Sequence, residues 1–299
     1  MSNPYILRKG VSSLGDLTDG VGAKGDPAAG KVLFVNGVSW ANGFTAGNDA
    51  NSGESLDDPL YTIAKAISLC TNEGNDYIYI LDYWQNDTTW PISVNVDGLS
   101  IIGVNWRPMR PWPVLSSSGN YACFDIVAST IYIEGLALYP TAGYAGMTFD
   151  DGVKNVWINK CAFQQGSYGI QLSAGDMSTG LAITNCHFMA TLSSGGIYIN
   201  DDPAFCTIDG NMFDQLTGDS IAIVQGGGHV ITNNMFAMKA ATSGLSITLS
   251  TAVSRAFVNG NHSAYGANNS SISPYDDEGT VTTNNWGTNF YGSAVADPA

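Results

Sequence analysis

A repeat of about two dozen residues constrains this chain more than any other feature. Ile133, Ile158, Ile183, Ile208, Ile231, Val258 and Val281 follow one another at intervals of 25, 25, 25, 23, 27 and 23 residues. Five residues after each stand Leu138, Phe163, Phe188, Phe213, Phe236, Ser263 and Trp286. Three residues after each stand Leu136, Cys161, Cys186, Asn211, Asn234, Asn261 and Asn284. Between these segments runs a second series: Met147–Phe149, Ile170–Leu172, Ile197–Ile199, Ile221–Ile223 and Leu245–Ile247, with Ile272 continuing it. Its apolar residues alternate with Thr148, Gln171, Tyr198, Ala222 and Ser246, which is strand period. Two or three short strands per repeat make one coil of a parallel β-helix, with successive coils about 4.8 Å apart.

Coil stacking places like on like. The Phe column becomes an aromatic stack, and the Asn column becomes an amide ladder at a turn. Cys161 and Cys186 share that column and read as small apolar fillers, with a disulfide as the alternative. Upstream, Ile101 precedes Trp106 by the same five residues, and Tyr77–Leu81 and Ile92–Val96 read as strands. The Pro-rich stretch 107–113 reads as an insertion or broad loop, and the count is eight or nine coils. A solenoid's open end needs a cover. Asp58 as N-cap and Pro59 as first helical residue predict a short helix burying Leu60, Ile63, Ala64 and Ile67. The expected fold is all-β, a right-handed parallel β-helix with an N-terminal arm and a short capping helix. Its divisions are residues 1–30 (arm), 31–75 (lead-in and capping helix), 76–287 (coils) and 288–299 (tail).

Charge narrows the partners. With 26 acidic against 11 basic residues the net charge is −15, which repels nucleic acid and anionic membranes. No apolar run reaches the roughly 18 residues of a membrane span. The opening MSNPYILRKG lacks the apolar core of a signal peptide. Five cysteines, an odd number, read as reduced and mostly buried, in keeping with assembly in a cytoplasm. The first 30 residues hold few large apolar groups and cannot build a core. Arg8, Lys9 and Lys24 give this arm three of the eleven bases, and Arg8, Lys9, Leu14 and Leu17 are its candidate partner-binding residues.

Two stretches carry family resemblances. Gly47-Asn48-Asp49-Ala50-Asn51-Ser52-Gly53, followed by Asp58-Pro59-Leu60-Tyr61-Thr62-Ile63-Ala64-Lys65-Ala66-Ile67, resembles the opening of pectate-lyase-like β-helix proteins. That likeness implies the fold and leaves activity open, because lyases, hydrolases, phage tailspikes and inert structural proteins all use it. Ser13-Leu14-Gly15-Asp16-Leu17-Thr18-Asp19-Gly20, with Gly30–Gly37 and Trp40, resembles a module of tailed-phage virion proteins. It departs from that pattern at Gly20, which stands before the expected Val. The resemblance implies attachment to a particle.

Chemistry on this fold needs paired acids or a metal site. Asp150 and Asp201 each follow a strand of the second series, two coils and thus about 10 Å apart. Inverting glycosidases hold their carboxyls about 6.5–9.5 Å apart, so these two are the catalytic candidates. The alternative is ordinary acids ending strands with solvated side chains. The same applies to Asp57-Asp58 and Asp276-Asp277. Lyase chemistry needs a base beside Ca²⁺-binding acids. Lys154, Lys160, Lys239 and Arg255 read instead as isolated solvated cations. His187, His229 and His262 show no metal-ligand spacing and read as turn or surface residues. Gly226-Gly227-Gly228 lacks the Lys-Ser/Thr of a phosphate loop and reads as a turn. Tyr139, Tyr144, Tyr168, Tyr198, Tyr265 and Tyr275 read as outward aromatics that pack subunits, lie bare or bind sugar.

The reading is of a non-enzymatic structural protein of a tailed-phage virion, with no catalytic residue, cofactor or metal. It is a homotrimeric capsid decoration (cement) protein on the major capsid protein or another virion protein, at the outer surface of the head or on the tail. One alternative is a tailspike that binds or depolymerises host polysaccharide. The other is a cellular polysaccharide lyase.

Overall fold

The computed structural model describes residues 30–37, 44–82, 87–104, 113–201, 205–237, 244–264, 274–278, 283–291 and 294–295. The arm residues Arg8, Lys9, Leu14 and Leu17 lie outside this range, as do Lys24, Trp40, Trp106, Asp202, Lys239, Tyr265, Ile272 and Val281.

Three long sheets form the walls of the solenoid. The first has ten strands, from Val32–Asn36 to Asn285–Trp286. The second has nine, from Val114–Ser116 to Ala294–Val295, and the third has eight, from Ile92–Val94 to Tyr275–Asp277. Among the described strands, the pair Phe290–Tyr291 with Ala294–Val295 is antiparallel, and the register elsewhere is parallel. Seven complete turns visit the first, second and third sheets in that order, with partial turns at either end, against the eight or nine coils expected.

The anchors lie opposite one another as the repeat requires. Ile101, Ile133, Ile158, Ile183, Ile208, Ile231 and Val258 form one continuous column of the first sheet, all fully buried. Beside them Phe163, Phe188, Phe213 and Phe236 stack at centroid separations of 4.8, 4.7 and 4.9 Å, with ring planes within 16° of parallel. Each such contact adds about 0.5–1.5 kcal/mol beyond simple burial. The stack needs room on its far side. A methyl group added to Gly169 would stand 2.5 Å from Phe188, and one added to Gly196 would stand 2.7 Å from Phe213. A column of glycines before the third-sheet isoleucines therefore admits the rings.

The turn from first to second sheet explains the amide ladder. Two residues past each anchor the backbone enters the left-handed region: Gly135 (φ 72°), Lys160 (50°), Asn185 (54°), Gly210 (66°), Asn233 (56°) and Gly260 (69°). Gly and Asn accept that geometry at least cost. The next residue then points inward. Asn234 Nδ2 donates to Asn261 Oδ1 (2.9 Å) and to the Ile208 carbonyl (3.0 Å), while its Oδ1 accepts from Asn211 Nδ2 and the Asn211 N–H, both at 3.0 Å. Asn211 and Asn261 make equivalent bonds, so each buried amide is satisfied by its neighbours. Cys161 and Cys186, earlier in this column, are free thiols, and burial with the neighbouring Cys161 pushes the Cys186 thiol well above its ordinary value.

Several expectations are corrected at the loops. Trp286, not Val281, lies opposite Val258, and the ladder continues to Asn289 rather than Asn284. Upstream, Leu115 rather than Trp106 lies opposite Leu138, after the Pro-rich stretch. The third-sheet column ends Ile221, Ile247, Tyr275, so its penultimate pair is Ile247–Leu249 rather than Leu245–Ile247. Loops outside the sheets vary in length at little cost, so residue counting loses register there while stacking keeps it.

The capping helix, α1, is Ile63–Leu69. Its N-cap is Thr62, whose hydroxyl accepts from the Lys65 N–H at 3.2 Å. Asp58 instead accepts from the Ser52 N–H and hydroxyl at 2.9 and 2.8 Å. Leu60 bridges to Val35 in extended conformation, so the helix starts later than predicted. Ile63, Ala66 and Ile67 are its buried face, and Ala64 is exposed. Asp87 accepts from the Ile63 and Ala64 N–H groups, and burial pushes its carboxyl up to about 6.

Asn234→Ala strands the buried amide of Asn211 and the Ile208 carbonyl. A loss of about 3 kcal/mol is expected in urea unfolding. Asn284→Ala, outside the ladder, should lose less than half as much; equal losses would contradict the ladder's role.

Candidate functional site

The acids closest to a functional grouping sit where the chain passes from the third sheet back to the first. Asp150 and Asp151 follow Met147–Phe149, Asp176 precedes Met177–Thr184, and Asp201 follows Gly195–Ile199. These turns belong to three successive coils, so the carboxylates stack along one edge. Their environments differ. Asp150 is exposed, and its Oδ1 accepts from the Asp151 N–H at 2.9 Å. Asp201 is only 5% exposed; its oxygens accept from the Gly175 N–H at 3.0 Å and from the Met177 N–H. It ties down the preceding coil's turn.

Asp176, which the sequence reading passed over, is the perturbed member. Burial pushes its carboxyl up to about 6; the Ser173 N–H it accepts opposes this, and the charges of Asp201, Asp151 and Asp150 reinforce it. A carboxyl raised to about 6 by burial and by neighbouring acids is a candidate proton donor. No group of three or more His, Cys, Asp or Glu among the described residues is placed to hold a metal ion.

A second grouping lies on the outer face of the third sheet. Tyr168 and Tyr198 stack at 5.1 Å, the Tyr168 ring crossing Gly195, where an added methyl would stand 3.1 Å away. Asp219 lies near enough to help burial and Tyr198 raise the Tyr168 phenol. Its oxygens accept from the Leu245 N–H (2.8 Å) and the Thr248 hydroxyl (3.0 Å). Tyr144 is exposed, as expected, and Tyr139 is partly so. Tyr275 is not outward. It is fully buried, its hydroxyl donating to the Phe290 carbonyl at 3.0 Å, because Ser263 has replaced the bulky residue of its coil.

The remaining candidates are structural. Lys160 is not isolated: its Nζ lies 2.9 Å from Glu134 Oε1, which helps hold this left-handed residue. Lys154 and Arg255 are exposed. His229 is fully buried, two residues before the anchor Ile231 and in line with Cys206 and Ala256, so it is a core residue and not a surface one. His187 and His262 lie outward on the second sheet, separated by Met212 and Met235. Gly226 and Gly227 end a third-sheet strand and Gly228 turns the chain. No helix among the described residues is long and apolar enough to cross a membrane.

Sequence reading also missed an aromatic platform on the first sheet. Trp157, half exposed, meets the edge of Tyr132 at 5.6 Å and donates from Nε1 to the Thr184 hydroxyl at 3.1 Å. The signal was available: Tyr132 and Trp157 are one repeat apart.

These features define a right-handed parallel β-helix protein. The family described as "Right handed beta helix region" matches residues 114–262, about half of the chain. A search of curated proteins finds no match. Among solved structures, pectate lyase Pel9A is similar at 14% identity over 87% of this chain and 79% of that one, with a TM-score of 0.43. A rhamnogalacturonan lyase is similar at 12% identity over 87% of each chain, with a TM-score of 0.39. Likeness at this level says nothing of activity.

Asp176 should titrate near pH 6 by carbon-detected NMR. Because its folded value is raised, its contribution makes the fold more stable as pH falls from 7.5 towards 5. Asp151→Asn removes a like charge and should move the Asp176 midpoint down; an unchanged midpoint would contradict the electrostatic coupling.

Proposed function

We propose that this chain is a non-enzymatic structural protein of a tailed-phage virion, a homotrimeric decoration protein that stabilises the head shell. The observation carrying the non-enzymatic part is Asp201. A hydrolase reading built on Asp150 and Asp201 needs this carboxylate free, yet it is buried and holds the backbone of the neighbouring turn. The phage part rests on the resemblance of residues 13–40 to a virion module. A rigid rod with an attachment arm stabilises a shell by burying interface area rather than by chemistry.

A second reading, a tailspike acting on host polysaccharide, is favoured by Asp176 and the Tyr168–Tyr198 pair. Stacked tyrosines beside an acceptor suit sugar rings, and a carboxyl pushed up to about 6 suits proton donation.

Two measurements separate them. Quantitative mass spectrometry of purified particles should find hundreds of copies per particle; a few trimers would place the chain on a tail. Incubation with host capsule or lipopolysaccharide should release no oligosaccharide. Release that is lost in Asp176→Asn would overturn the decoration reading.

A further inference from the structure

On the second sheet the residue before each stacked phenylalanine faces outward, because side chains alternate along a strand. Register puts Ala162, His187, Met212, Met235 and His262 opposite one another on five successive coils. Three consecutive members, His187, Met212 and Met235, thus offer an imidazole and two thioethers along one line. The coils are about 4.8 Å apart, so side chains on either side of Met212 can reach a common point above it. Two observations set His187 apart. Its Nε2 is sealed from solvent, and no hydrogen-bond partner among the described residues meets it. A buried polar nitrogen without a partner costs free energy, which an ion bound there would offset. Asp214, two residues beyond Met212, lies near enough for its charge to act on the His187 ring, and a carboxylate there favours a bound cation.

We propose that His187 Nε2 and the sulfurs of Met212 and Met235 bind one soft monovalent metal ion, copper(I). Donor chemistry selects the ion. Thioethers and imidazole together suit copper(I), whereas zinc is held by thiolate, imidazole and carboxylate, and calcium and magnesium by oxygen. No three His, Cys, Asp or Glu among the described residues gather there, so the methionines complete the set. Access is open. Met212 is 41% exposed and Met235 51%, so an ion enters from solvent without disturbing the core. Methionine's unbranched, rotatable side chain lets both sulfurs turn towards the ring. The far end of the column is less suited, because the His262 ring packs at an angle against Phe290, with centroids 6.4 Å apart.

The test is a competition for copper(I) in the absence of oxygen, with ascorbate as reductant and bicinchoninate as the coloured competitor. Cysteine thiols also take copper(I), and Cys70 is the one cysteine that is not fully buried, so every protein carries Cys70→Ser. The full-length protein should withdraw one equivalent of copper(I) and no zinc(II). Met212→Leu/Met235→Leu keeps size and apolar character but removes both sulfurs. Losing an outer-shell partner already costs about 10–100-fold in metal affinity, so losing two ligands should cost at least about 100-fold. Silver(I), which resists oxidation, gives a second readout by NMR of methyl-labelled methionine. The two signals missing from the double variant should move on adding silver(I), and the other methionine signals should stay. No uptake by the parent protein, equal uptake by the double variant, or shifts confined to other methionines would each overturn the site. Should the double variant unfold, Met212→Leu and Met235→Leu singly, each expected to weaken binding by about tenfold, carry the same test.

Discussion

Everything in this molecule depends on backbone pairing between one turn and the next. Parallel strands about 4.8 Å apart fix the distance at which successive side chains must coexist. That distance suits flat aromatic rings and planar amides, and the structure uses both. Phe163 to Phe236 stack at nearly the strand spacing, and Asn211 to Asn289 pass hydrogen bonds along the same direction. The ladder also satisfies backbone carbonyls that the left-handed turn leaves unpaired, such as that of Ile208. An interior amide row would otherwise be a liability. Here it closes the tightest corner of the coil.

Residues inside the sheets were legible in the sequence because stacking forces them to repeat. Ile158, Ile183 and Ile208 could be placed over one another from spacing alone, as could Phe163, Phe188 and Phe213. What lay between sheets was not. Val281 is at the interval the repeat favours, yet Trp286 takes the position, because the preceding loop is free to lengthen. Tyr275 and Ser263 show a different obstacle: a large residue on one sheet compensates a small one on another, and a column read singly shows only an irregularity. His229 stands among Leu181, Cys206 and Ala256, a column too mixed in chemistry to mark as interior.

The candidate site was half legible for the same reason. Asp150 and Asp201 follow strands and could be assigned to one edge. Asp176 sits ahead of its strand, so nothing in the second series pointed to it. Its carboxyl is raised first by burial and then by acids in other coils, at sequence separations set by loops. Both Asp201 and Asp176 are nearly out of water, and they differ in hydrogen bonding: the first receives two backbone N–H groups and the second one. Composition cannot separate the two.

The left-handed corner after each anchor makes the length of the rod adjustable. Every turn between Ile133 and Val258 presents the same parallel backbone ladder above and below, and its corner bonds to its immediate neighbours. Inserting or removing one whole repeat would lengthen or shorten the solenoid by a single rung while leaving both ends as they are. The chain can thus be matched to the span it must cover in units of about 5 Å, without redesign of its interior.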